Sequence, residues 1–147
     1  MTIAAEPQLE SRGTAVQDLD RLVGTWQVWG ETEGIVQFEW LPGGHFLLQH
    51  VDLVCGDEHI AGVEVIGHDK PFGAEPSPEV RSRFYSNTGD TLEYVYELDR
   101  DVLLIWAGET GSPAYFRGTF DPTGSVCTGA WTYPGGVGET AVMTRLD

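Results

Sequence analysis

The chain predicts an all-β protein: an antiparallel up-and-down barrel of about ten strands, preceded by a short N-terminal helix. Three observations lead there. From residue 24 onward, short runs rich in Val, Phe, Tyr, Trp and Thr alternate with turns built from Gly, Pro, Asn and Asp. All but one of the connections are short, so each strand pairs with its sequence neighbour in a meander. A meander of that many twisted strands removes its exposed edges by closing on itself, whereas a β-sandwich would need longer crossovers.

The length of 147 residues fits one domain. Residues 1–13 are polar and without period, which reads as a tail, and the domain is expected over 14–147. Thr14 is placed to cap a short helix, with Gln17 at the capping-box position and Val16, Leu19, Leu22 and Val23 on one face. A helix over 14–23 is too short to stand alone and is expected to plug one end of the barrel.

Strands are then expected at 24–30, 34–41, 46–54, 59–68, 80–86, 91–98, 102–107, 114–120, 125–133 and 139–146. Pro42-Gly43-Gly44, Gly56-Asp57, Asn87-Thr88-Gly89-Asp90, Asp121-Pro122-Thr123-Gly124 and Pro134-Gly135-Gly136 supply the turns. The one long connection, 69–79, holds Pro71, Pro76 and Pro78, which exclude a central strand there and make it a candidate gate for the open end.

Alternation sorts several strands directly. Val36, Phe38 and Trp40 point inward, as do Leu92, Tyr94, Tyr96 and Leu98, then Phe116, Gly118 and Phe120, then Cys127, Gly129, Trp131 and Tyr133. Four strands stay ambiguous. Phe46, Leu48, His50 and Asp52 compete with Leu47, Gln49, Val51 and Leu53; Ile60, Glu64, Ile66 and His68 compete with His59, Ala61, Val63 and Val65. Arg81, Arg83 and Tyr85 oppose Val80, Ser82 and Phe84, and Leu104 with Trp106 opposes Leu103 with Ile105.

The formal net charge is −15, which would repel phosphate backbones and anionic headgroups, so neither nucleic acid nor a membrane surface is expected as a partner. No long apolar run and no basic, apolar N-terminal leader occurs, making a cytoplasmic location the default. Cys55 and Cys127 lie in apolar strand contexts and read as reduced thiols. Cys55, Asp57 and His59 straddle a turn where side chains diverge, so no metal is expected, and no fingerprint for a cofactor occurs.

Leu22-Val23-Gly24-Thr25-Trp26 after a short helix, followed by a meander, resembles the calycin group of lipocalins, fatty-acid-binding proteins and nitrobindin-like barrels. The likeness covers about residues 18–147 and includes Gly44 to Leu47, Gly67-His68-Asp69 and a closing Arg145; it is nearest to uncharacterised bacterial lipocalin-like proteins. It implies a barrel whose Arg145 packs across Trp26 at the closed end, a cation–π contact. It does not carry haem ligation, because all four His (45, 50, 59 and 68) fall in the first half of the chain.

The functional expectation is binding of a small hydrophobic or aromatic ligand inside the barrel. The wall would be Trp40, Tyr94, Tyr96, Trp106, Trp131 and Tyr133, with His50 and Arg145 as polar elements. The alternative is a pocket enzyme, an isomerase or cyclase, with His50 and Glu64 as an acid–base pair; a carboxylate desolvated beside aromatics would titrate nearer neutrality. The simpler reading has Glu64 facing solvent. A third is a filled barrel that works through its acidic surface. Oligomeric state has no signature in the sequence.

Overall fold

The computed structural model describes residues 13–136 and 138–147; the tail expected over 1–13 lies outside the described residues except for Gly13. Ten strands follow a short 3-10 helix of about two turns, Val16–Leu22. They are β1 (Gly24–Gly30), β2 (Thr32–Trp40), β3 (Phe46–Cys55), β4 (Glu58–Gly67), β5 (Val80–Ser86), β6 (Thr91–Asp99), β7 (Val102–Ala107), β8 (Tyr115–Phe120), β9 (Val126–Thr132) and β10 (Gly138–Arg145). Each pairs antiparallel with its neighbour, and β10 pairs with β1, so the sheet is a closed barrel. No helix among the described residues is long and apolar enough to cross a membrane.

Closure fixes one inward set around the whole ring. Trp26 stands opposite Val36 and Arg145, Val36 opposite Val51, Leu47 opposite Ile66 and Gln49 opposite Glu64. Continuing round, Ser82 meets Tyr94, Tyr96 meets Ile105, and Phe116 meets Trp131. The ambiguous strands are thereby settled: Leu47, Gln49, Val51 and Leu53 face in, with Ile60, Glu64 and Ile66, then Val80, Ser82 and Phe84, then Leu103 and Ile105. Gly118 and Gly129 are paired across β8 and β9, and a Cβ on Gly129 would lie 2.3 Å from the Arg117 carbonyl and 2.8 Å from the Phe116 ring. The bare backbone there lets Phe116 lie flat over both strands.

The helix plugs one end. Val16, Leu19 and Leu22 are fully buried against the barrel, and Trp26 beneath them is wholly shielded from water. Trp26 donates its indole N–H to the Leu22 carbonyl at 2.8 Å, and the Arg145 guanidinium sits 4.3 Å above its ring. Arg145 also donates to the carbonyls of Val23 (2.7 Å) and Arg21 (2.6 Å), so one side chain ties β10 to the end of the plug. Thr14 does not cap the helix as expected. Its hydroxyl accepts from Leu98 N at 2.8 Å, and Ala15 takes the cap position, its N–H bonded to Asp18 at 2.9 Å. A strand-end amide without a ladder partner is the stronger claim on that hydroxyl.

The proline-rich connection 69–79 is at the plugged end, not the open one. Connections of a meander alternate between ends, and the one from β4 to β5 emerges on the plug side. His68 holds it there: Nε2 accepts the Val16 N–H at 3.1 Å while Nδ1 donates to the Ser77 carbonyl at 2.8 Å. The neutral tautomer with its proton on Nδ1 is the one that satisfies both partners.

Candidate functional site

Exposure of the inward set is graded along the barrel axis. Toward the plug, Leu47, Ile66, Val80, Tyr96, Leu103 and Cys127 are essentially inaccessible to water. Toward the opposite end, the inward residues Leu53, Ile60, Tyr94 and Trp131 are only half-buried, and Tyr133 and Leu92 are exposed at the rim. The inward set is therefore least shielded from water at the end where β1–β2, β3–β4, β5–β6, β7–β8 and β9–β10 turn, called the open half below.

At the bottom of this open half sits a buried carboxyl. Glu64, on β4, is 4% exposed. Tyr96 OH lies 2.9 Å from each of its oxygens, and the Gln49 amide donates to Oε1 from the paired position on β3. The Ser82 hydroxyl, close by on β5, is buried and has no completed hydrogen bond among the described residues. Burial pushes the Glu64 carboxyl above the ordinary carboxylate range, and the hydrogen-bonding groups of Ser82, Tyr96 and Gln49 only partly offset this. Tyr94 is pushed up to about 12 by burial and then by the Glu64 charge; Tyr96 rises well above the ordinary value for the same reasons. Both phenols thus keep their protons at neutral pH.

A second polar group marks the rim. Glu139, on β10, accepts from Thr32 Oγ1 at 2.6 Å and from Tyr133 OH at 3.3 Å. Tyr133 is pushed up to about 12, first by burial and then by Glu139, with Tyr94 and Cys55 adding to it. Between rim and floor the wall is aromatic: Tyr94 and Trp131 centroids are 6.2 Å apart, and Trp131 and Tyr133 lie nearly parallel at 6.3 Å.

The wall residues expected from sequence separate into groups. Tyr94, Trp131 and Tyr133 line the open half, and Tyr96 lies beneath them against Glu64. Trp40 faces in but at the plugged end, where its indole N–H donates to Asp20 at 2.7 Å. Arg145 is likewise part of the floor and out of reach of the open half. His50 and Trp106 fall on the outward parity. His50 pairs with Glu39 at 2.8 Å on the outer face, and Trp106 packs on Tyr115 with ring centroids 5.0 Å apart. The His50–Glu64 acid–base pair is accordingly not assembled: Gln49, not His50, stands opposite Glu64.

Gln49, Ser82, Thr32 and Glu139 were missed. Gln49 had a usable signal, because counting outward from the tight turn at Gly56-Asp57 puts it directly across from Glu64. Glu139 and Thr32 had none, since their contact joins residues 107 apart in sequence. Cys55 faces in while His59 faces out and bonds Asp52 at 2.7 Å, so these two do not converge.

Outside the barrel, a groove of about 310 Å³ runs over β4 to β6 past Phe46, Val65, Arg81, Arg83 and Tyr85. Its arginines are matched by acids, Arg81 by Glu79 at 3.6 Å and Arg83 by Glu93, so it offers no free cation to an anionic ligand.

No protein-family model matches the chain, and no curated protein shows significant sequence similarity to it.

Proposed function

We propose that this protein binds a small, mostly apolar molecule inside the barrel, entering opposite the plug. The observation that carries the reading is the graded burial of one continuous inward set: sealed at the plug, half-open to water at the other end, with aromatic walls and few polar groups. Tyr94 and Trp131 supply apolar contact area, and the Tyr94 hydroxyl is available to orient a ligand. The Trp26–Arg145 contact at the closed end adds to the likeness with calycin barrels. Native mass spectrometry of the protein purified from its own cells tests this. A small molecule that travels with the parent and is lost on Trp131→Ala supports the reading; a parent that is empty and takes up no apolar probe in titration overturns it.

The enzymatic reading keeps Glu64 and loses His50. Its one support is the buried carboxyl, which desolvation raises above the ordinary carboxylate range beside the Tyr96 hydroxyl. It requires turnover of a hydrophobic substrate that disappears in Glu64→Gln while binding persists.

A further inference from the structure

The inward positions of the ten strands have a one-sided charge pattern. They carry the acids Glu58, Glu64 and Glu139 and a single cation, Arg145. Arg145 is held at the floor by two backbone carbonyls and the Trp26 ring. Arg81, Arg83 and Arg117 all lie on outward parity. A carboxylate-bearing ligand entering the open half would therefore meet three acidic side chains and no available cation. An ammonium would meet the opposite: a carboxylate at the rim, aromatic faces behind it, and the field of a chain with net charge −15.

The rim is built for such a head group. Glu139 is oriented by the Thr32 and Tyr133 hydroxyls, and a carboxylate with about four acceptor sites keeps two of them open. Tyr133 and Trp131 present parallel rings beside it, and Tyr94 closes the side. An ammonium against such faces gains a cation–π attraction as well as the ion pair.

We infer that the interior selects an apolar organic cation, an amine bearing an alkyl or aryl group, with its ammonium at Glu139, Tyr133 and Tyr94 and its apolar part against Trp131, Leu53 and Ile60. This rests on the proposed interior binding. The test is calorimetric titration at neutral pH with octylamine, octanol and octanoate, which share chain length and differ in head group. Octylamine is expected to bind about tenfold or more tighter than octanol, with octanoate weakest, and only the octylamine affinity should fall with added salt. Glu139→Gln should bring octylamine down to the octanol level and leave octanol unchanged; a thermal melt checks that the variant is folded. If octanol or octanoate binds as tightly as octylamine, cation selection is wrong and interior binding stands. If none of the three binds, interior binding fails and takes this inference with it.

Discussion

Glu64 loses nearly all contact with water on folding, while in the unfolded chain it titrates as an ordinary carboxyl near 4.5. Its folded value is raised, so the sign of the linkage follows. Below 4.5 both states carry the proton and Glu64 costs nothing. As pH rises above 4.5, the unfolded state releases its proton while the folded state retains it, and stability falls by about 1.4 kcal/mol per pH unit until the folded carboxyl ionises. Glu64→Gln isolates this effect. The amide has the shape of the protonated acid: its oxygen can accept from Tyr96 and Gln49, and its NH2 can reach the unpartnered Ser82 hydroxyl. In acid, parent and variant should agree within about 1 kcal/mol, the net worth of one hydrogen bond. Toward neutrality the variant should become the more stable, by about 1.4 kcal/mol for each pH unit between 4.5 and the folded value. Urea unfolding midpoints of both proteins, followed from acid to mildly alkaline pH, read the difference directly, because all other acids are common to both. Parallel curves would mean that burial leaves Glu64 unshifted, and a variant that becomes the weaker of the two toward neutrality would mean that Glu64 is ionised and held by charge-assisted hydrogen bonds; either result refutes the argument from burial.

Three further outcomes are expected. Trp26→Ala removes a fully buried ring, its hydrogen bond to Leu22 and the surface under Arg145; a loss of about 3–5 kcal/mol should appear in denaturant midpoints before any change in ligand affinity. A variant that keeps its melting temperature but loses ligand would place Trp26 in the binding site instead. His68→Leu leaves the Val16 N–H and the Ser77 carbonyl without their shared partner, costing about 1–3 kcal/mol and increasing amide exchange at Val16 and around 77–79; unchanged exchange there would show that the ring does not hold the plug. His50→Ala removes only an exposed pairing with Glu39, so stability should move by about 0.5 kcal/mol or less, with ligand binding unaffected; a clear loss of binding would contradict the outward placement.

Much of the fold was legible because a strand records its own geometry in a period of two. The ten strands fall within two residues of their expected bounds, and the aromatic-rich strands β6 and β9 declared their inward faces by composition alone. Where both sets were mixed, composition had no vote. In β3, His50 and Gln49 are neighbours of similar polarity, and in β4 an acid competes with Ala61, Val63 and Val65 for the interior. The sequence thus determined that there would be a meander with a helix at its head and aromatic inward positions at Tyr94, Trp131 and Tyr133, and its resemblance to calycin barrels implied Arg145 as the partner of Trp26. Tertiary structure alone decided the rest. Ring closure forces every strand to share one inward parity, which buries Glu64 against the preference of an isolated strand and turns His50 and Trp106 outward. The alternation of connections puts the proline-rich loop beside the plug, and the meeting of β2 with β10 across the open rim places Thr32 on Glu139, because parity and ends are properties of the closed ring and of no single strand.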